Sequence, residues 1–531
     1  MLIVIPSQRA FRLPDSFIHG TPVPCLQTTL YPRKVVVNTA GVAAEAHPEH
    51  GSRAEREGGV MRVQTEGDRR DGSGLCRTCI RVADPERSTS ISTREAVPGP
   101  SRRFVIVVRA APVICGHSTE ARSLAEVALT RGFDDVRIVT WPLERLTASG
   151  LPLKAAEYVL PYSPGITVER PEPVGDAKVI DGRYSAGITG RLVELFTDGV
   201  PTVAMSLYLA PHADVIAEAR RVACELGACD QVTTIAEAVG SDVTNVVRTA
   251  LESGRIGTAA RVLASYLDAD HLVAVSQYTK DLIVHYAHLV DARLGSQFAA
   301  ACEHRIEISY PAIDSSTYID LDSDTSVATL ARYGLRRGSY ALFLSRLMSA
   351  KGMDDVINGY RASAAKDHVD LVIAGRGPAE DQVRRMIADS GLSERIHLIL
   401  DFGDTEKAAL MAGSAAFVLP SRTEADFTET FGIVLAEKML AGGGPVITCA
   451  TGGIPEAVGD AAVIIPPYDP GAVATALDDV VLHWDEPRRR HTEQRARAHA
   501  MQFDRFAVFD RLMRGLPSLA GARQGDVPDV A

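Results

Sequence analysis

Residues 415–421, AAFVLPS, are followed by the polar segment RTEADFTE (422–429) and then by Glu429-Thr430-Phe431-Gly432-Ile433-Val434-Leu435-Ala436-Glu437. A short apolar run that stops at Pro-Ser reads as a buried parallel strand. Beyond it Leu435, Ala436, Met439 and Leu440 recur at helical spacing, so a helix begins near Gly432 and buries that stripe. Gly432 permits close backbone approach, and the free N–H groups of a first helical turn form a site for a phosphate or sugar oxygen. Glu429 stands before that terminus and Glu437 two turns beyond it, placing one carboxylate near each end of an elongated polyhydroxylated ligand. Taken singly, Glu429 would be a capping acid and Glu437 a surface helix residue.

Upstream, the strand-like YALFLS (340–345) runs into Arg346 and, five residues on, Lys351-Gly352. Two cations at a strand's carboxyl end can clamp a diphosphate, Arg as a bidentate fork and Lys as a point charge. A solvated loop with incidental charges is the plain alternative. Around these segments apolar runs alternate with helical patterns: FVIVV, DVRIVT, VPTVAMS, VTTIAEA, HLVAVS and RIEISYP up to Pro311, then YALFLS, LVIAG, RIHLIL, AAFVLPS, PVITC and AAVIIP. Such alternation predicts two α/β domains with mostly parallel sheets, 104–310 and 341–490, joined by an irregular polar linker, 311–340. Ligands of such sheets bind off the strands' carboxyl ends, so the expected site is the cleft between the domains.

Five segments now stand in order within residues 341–458: strand-R-x4-K-G, V-I-A-G-R-G-P, V-L-P-S, E-T-F-G-I-V-L-A-E and T-G-G-I-P-E-A-V. This set resembles the donor-binding half of the retaining glycosyltransferases of the GT-B fold, family 4 type (glycosyl transferases group 1), in which two Rossmann-like domains face each other across a cleft. VSQYTKDLIVHY (275–286), ISYPAIDSSTY (308–318) and FDRFAVFDRLMR (503–514) extend the resemblance, the last to a helix at 491–515 that crosses back to the first domain. The resemblance implies a nucleotide-sugar donor (UDP or GDP) and a small polar acceptor. It assigns Arg346 and Lys351 to the diphosphate, Glu437 to the ribose, Glu429 to the transferred sugar, and the backbone of Phe431, Gly432 and Ile433 to sugar or phosphate. Gly375, Gly377 and the loop after Leu400 would lie near the base. It further implies retention by a front-face mechanism, with no metal or other cofactor.

Three departures from the family pattern stand out. Glu237 occupies the position where many relatives carry a first-domain His, and is the candidate to replace it catalytically. AGGGP (441–445) is one residue longer than the usual turn. The first loop reads Val113-Ile114-Cys115-Gly116-His117-Ser118, where Gly116, His117 and Ser118 are candidates for acceptor contact, with capping as the alternative for Ser118. His212 reads as helix-start structure. On the same scaffold a nucleotide-sugar 2-epimerase, a phosphorylase or a catalytically silent binder are the competing expectations.

Composition sets the outer bounds. The chain has 531 residues, more than one core supports, and no apolar run of membrane-spanning length. Its formal charge of −11 argues against a general nucleic-acid binder. Gly375-Arg376-Gly377-Pro378 lacks the third glycine of a dinucleotide fingerprint, and Asp322-Ser323-Asp324 falls in the linker rather than at a strand end. Residues 1–103 hold 15 Lys/Arg against 11 Asp/Glu and no sustained period, which predicts a disordered leader, or a segment outside the working protein with translation starting at a site such as Met61; 516–531 reads as a disordered tail. Cys76-x-x-Cys79 lacks the second ligand pair of a zinc site. Eight scattered cysteines read as free thiols and suit a cytoplasmic location.

Overall fold

The computed structural model describes residues 101–176, 178, 179 and 182–516. The leader but for its last three residues, with Met61, Cys76 and Cys79, and the tail beyond residue 516 lie outside them. The first domain carries β1 (Arg103–Val107), β2 (Asp135–Val139), β3 (Ile166–Glu169), β4 (Thr202–Leu207), β5 (Val232–Ala238), β6 (His271–Ala274) and β7 (Ile306–Ile308). They form one sheet in the order β3-β2-β1-β4-β5-β6-β7. The second carries β8 (Tyr340–Leu344), β9 (Asp370–Ala374), β10 (Ile396–Ile399), β11 (Ala416–Leu419), β12 (Val446–Cys449) and β13 (Val463–Ile465), in the order β10-β9-β8-β11-β12-β13. Every pairing is parallel. Parallel strands are covered by helices on both faces, which is why β1, β4 and β8 are buried along their whole length.

Each sheet reverses its winding once, between β1 and β4 and between β8 and β11. The segments leaving β1 and β8 therefore open at the two switch points, where a crevice forms at the strand ends. These are the segments that carry Gly116-His117 and Arg346.

The first strand starts at Arg103, whose guanidinium is buried and bonds Asp135 and Asp198. The segment expected to be an irregular linker holds two helices, Ser316–Ile319 and Ser323–Arg332; Asp322 caps the second by accepting from the Thr325 N–H at 2.7 Å. Polar composition hid them because helix starts are themselves polar. The chain crosses back once more near its end: the Glu486–Ala500 helix lies on the second domain, where Arg497 donates to the Leu440 carbonyl. The Arg505–Arg514 helix lies on the first, where Phe509 meets Phe104 edge-on at 5.5 Å and Asp510 pairs with Arg131. The two crossings run side by side, with Ile313 N–H donating to Phe503 O and Arg505 N–H to Ile313 O.

The cysteines are not all free. Gly227, at φ +83°, reverses the chain after the Asp214–Glu225 helix and brings Cys229 back to Cys224, and the two form a disulfide.

Glu237 lies in β5 and points to the face of Ile235, which belongs to the same apolar cluster as Ala121 and Leu124 of the Gly116–Thr130 helix. Its neighbour there is Glu120, whose Oε1 accepts from the Ala312 N–H; the other three carboxyl oxygens of the pair are buried without partners. Burial pushes Glu120 up to about 8, and burial together with Glu120 and Asp242 holds Glu237 well above the usual carboxylate range. Protons are thus bound more tightly in the folded chain, so the stability they contribute is full below about pH 4.5 and is lost as pH rises through about 8. Urea denaturation should show wild type weakening between pH 5 and 9 and Glu237→Gln losing part of that slope. Parallel pH profiles for the two proteins would refute the placement.

Candidate functional site

The exit of β8 is set by the glycines of V-I-A-G-R-G-P. Gly375, at φ +135°, lies so close to the β8 loop that a Cβ would stand 2.0 Å from Ser345 O, and one on Gly377 would stand 2.2 Å from Leu347 O. The loops are stitched by Leu347 N–H to Arg376 O and Ala379 N–H to Leu347 O, both 3.0 Å. These glycines therefore serve loop packing, and through it fix the segment that carries Arg346. Arg346 is exposed and no carboxylate among the described residues pairs with it. Lys351 is buried, ion-paired with Glu429, and 4.8 Å from the Phe427 ring centre.

Gly432, at φ +94°, precedes the Ile433–Ala441 helix, so the free N–H groups of that helix open beside Glu429. The loop before it is held by T-G-G (451–453): Gly453 N–H donates to Glu429 O at 2.9 Å, and a Cβ on Gly452 would stand 1.9 Å from the same oxygen. Arg422, unmarked in the sequence reading, anchors the preceding polar segment through buried bonds to Asp354 and Asp355. Glu437 is buried rather than on the helix surface; its carboxylate accepts from Tyr318 Oη at 2.7 Å and from Lys407 Nζ at 2.6 Å. These two donors leave acceptor positions on the carboxylate open to a further hydroxyl. The longer AGGGP turn leaves the sheet register intact, Phe417 facing Val446, because a Cβ on Gly444 would stand 1.8 Å from Ala415 O and only glycine fits.

The first domain meets this loop directly. Ser276 caps the Gln277–Leu294 helix by accepting from Thr279 N–H and donates its hydroxyl proton to Thr430 O at 2.6 Å. Glu456, from T-G-G-I-P-E, accepts from the Gln277 and Tyr278 N–H groups of the same helix end. Thr430 Oγ1 donates to Val239 O, and Gly240 lies where a Cβ would stand 2.0 Å from the Thr430 methyl. Lys154 pairs with Asp404 at 2.8 Å across the cleft. Gly116 abuts Ile433, its Cβ position being 2.6 Å from Ile433 Cδ1, so two helix N-termini face each other.

Cys115, not Ser118, caps the first of these helices, its sulfur accepting from the Ser118 N–H at 3.4 Å. Ser118 is buried in the first turn. His117 stands between Arg109 and Arg346, and desolvation plus these guanidiniums push its imidazole down to about 3. Beside it Tyr208, His212 and Trp141 form an edge-to-face series, with His212 in the turn before the Asp214–Glu225 helix. Glu237 does not join this group. Its side chain is closed into the first-domain core, so it does not present a carboxylate to the cleft in place of a His.

Replacing Gly375 by Ala should cost about 1–3 kcal/mol, from left-handed backbone strain and the contact with Ser345. Gly391→Ala, at φ +74° with nothing within 4 Å, is the control that isolates strain alone. Equal losses in urea for the two variants would contradict the packing role.

Residues 335–499 match the family described as glycosyl transferases group 1. A GDP-mannose-dependent alpha-(1-6)-phosphatidylinositol monomannoside mannosyltransferase of Mycolicibacterium smegmatis is 31% identical over 258 residues, 47% of this chain and 59% of that protein. A D-inositol 3-phosphate glycosyltransferase of Mycobacterium leprae is 27% identical over 239 residues, 43% and 53% of the two chains. The chain thus spans a little over half the length of the curated relatives it matches. Among solved structures, Anabaena HepE in complex with UDP and glucose is similar at a TM-score of 0.57 and 16% identity, covering 78% of this chain and 98% of its own. WaaG, a glycosyltransferase involved in lipopolysaccharide biosynthesis, is similar at 0.53 and 15%, covering 79% and 100%. With its two parallel sheets and its facing helix termini, the chain has the GT-B fold, and its second domain, over residues 335–499, is similar to the glycosyl transferases group 1 family.

Proposed function

We propose that the protein moves a sugar from a nucleoside diphosphate sugar to a hydroxyl of a small polar acceptor, with retention of configuration and without a metal ion. The observation that supports this reading is the pairing of Lys351 with Glu429 beside the Ile433–Ala441 helix terminus, opposite Gly116, with Arg346 at the exit of β8. Together they offer two cations and several free N–H groups to one diphosphate. Similar proteins use either base, GDP in the mannosyltransferase and UDP in HepE.

The Lys351–Glu429 pair supplies an exchange. A diphosphate arriving at Lys351 takes over its positive charge and releases Glu429 to accept hydrogen bonds from the sugar's hydroxyls. As the bond from the anomeric carbon to the phosphate oxygen breaks, charge builds on the departing diphosphate. Arg346, Lys351 and the helix terminus would meet that charge with positive groups held by the fold, an arrangement that lowers such barriers. The acceptor oxygen then bonds the anomeric carbon on the same face, and its proton passes to the leaving phosphate oxygen. His117, kept neutral, adds no further charge at the centre.

A catalytically silent nucleotide-sugar binder is the second reading, favoured by the closed-in side chain of Glu237. Turnover separates the two. Incubation of labelled UDP- and GDP-sugars with an acceptor panel, with product configuration read by NMR and EDTA present in one arm, should give a retained glycoside. Binding without product would support the silent reading, and epimerisation without acceptor would overturn transfer. Arg346→Ala and Lys351→Ala should each weaken UDP or GDP binding about ten- to hundredfold in calorimetry, the scale of a charge-assisted contact. Unchanged affinity in both would remove the clamp.

A further inference from the structure

We infer that the first domain holds a subsite for an oxyanion on the acceptor, a phosphate monoester or a carboxylate, built by Arg109, Tyr208, His117 and His212. Resting on the glycosyl-transfer reading, the subsite narrows the acceptor from any small polar molecule to one bearing negative charge.

Arg109 leaves the end of β1 half-buried, its guanidinium 4.9 Å over the Tyr208 ring. No carboxylate among the described residues pairs with it, in a chain whose other guanidiniums are widely matched to acids or to carbonyls. Arg170, nearby, is spent on the Trp141 and Ala111 carbonyls. On the donor side Lys351 is balanced by Glu429 and the diphosphate claims Arg346. Arg109 is the cation left over, and it faces the acceptor side.

The groups around it are unfinished in the same direction. His212 is 2% exposed and neither of its ring nitrogens has a partner; it packs edge-on to Trp141 at 4.6 Å and to Tyr208 at 5.5 Å. His117 Nδ1 is likewise buried without a partner, in the first turn of a helix whose positive end points the same way. Buried polar atoms in folded proteins are nearly always bonded, so a cluster of orphans around one unpaired guanidinium is a site completed by a ligand. Tyr208 itself is held at φ +117°, a backbone region that side chains rarely occupy and that persists where function fixes it. A neutral hydroxyl would leave the Arg109 charge desolvated and unmatched. An oxyanion accepts from Arg109 and from an imidazole N–H at once.

The test uses the full chain and calorimetry. UDP and GDP are titrated first; wild type that binds neither overturns the glycosyl-transfer reading and leaves the subsite to be read with the anions alone. Glucose, glucose 6-phosphate, glucuronate and inorganic phosphate are then titrated with the bound nucleotide at saturation, and also without nucleotide. We expect at least one anion to bind roughly tenfold or more tighter than glucose, with Arg109→Gln abolishing that margin, Arg109→Lys restoring part of it, and nucleotide affinity staying within about twofold. Glucose 6-phosphate over glucuronate would identify a phosphate, and the reverse order a carboxylate. The subsite is overturned if no anion outbinds glucose, if Arg109→Gln leaves the margin intact, or if that variant weakens the nucleotide instead.

Discussion

Phe431 ties the Glu429 loop to the hinge, and the rest of the architecture follows from that one packing constraint. Its ring meets Phe503 at 5.0 Å and Tyr310 at 5.5 Å, and those two meet each other at 5.1 Å. Tyr310 opens the first crossing between the domains and Phe503 the second. The same residue sits two positions after Glu429 and one before Gly432, so its side chain is anchored in the hinge while its backbone lies in the cleft. Three aromatic rings in edge-on or tilted contact hold their mutual orientation far better than a flexible loop could. The carboxylate, the glycine and the helix start are thereby referenced to the hinge.

Around this anchor, polar contacts are arranged so that each motif supports its neighbour. T-G-G-I-P-E holds the Glu429 carbonyl with its glycines and caps a first-domain helix with its glutamate. G-R-G-P holds the Arg346 segment. Residues whose names suggest ligand binding thus act mainly by backbone fit, which puts the charge in place without spending side chains on it. The result is an acidic chain in whose cleft, among the described residues, Lys351 is matched by Glu429 while Arg109 and Arg346 have no carboxylate partner.

Much of this was legible in the sequence because strand runs and their order are local properties. Twelve of the thirteen strands are apolar enough to read directly; β3, ITVE, is short and half polar because it lies at a sheet edge. The cations, Glu429 and Gly432 were legible because strand-end position and helix start are encoded nearby. Three things were not. The partner of Glu237 is Glu120, more than a hundred residues away, so nothing local told a cleft acid from a core acid. Glu437 lies on a face that looks solvent-exposed until Tyr318 and Lys407 are folded onto it. The Cys224–Cys229 bridge depends on a reversal at Gly227 that leaves no cysteine pattern.

The distribution of apolar contact also decides how the cleft can move. One large cluster fills the second domain and takes in Ile313, Tyr318 and Phe503 from the crossings, while a first-domain cluster takes in Ala312, Val508 and Phe509. Burial therefore continues through the paired crossings and thins out at the cleft, where the contacts among the described residues are close packing at Gly116 and Gly240, hydrogen bonds, and the Lys154–Asp404 ion pair. Exposed ion pairs and single hydrogen bonds contribute on the order of 1 kcal/mol or less each, far below the burial at the hinge. The two domains are therefore coupled mainly through the 310–314 and 503–505 segments, and rotation about these segments is the motion that would break least burial. Because Phe431 belongs to that hinge, such a rotation would part the bonds to Ser276 and Val239 while keeping the loop bearing Glu429 registered to its axis. Under the proposed sugar transfer, such an opening would keep the geometry around Glu429 and move the first-domain wall with Arg109 and His117.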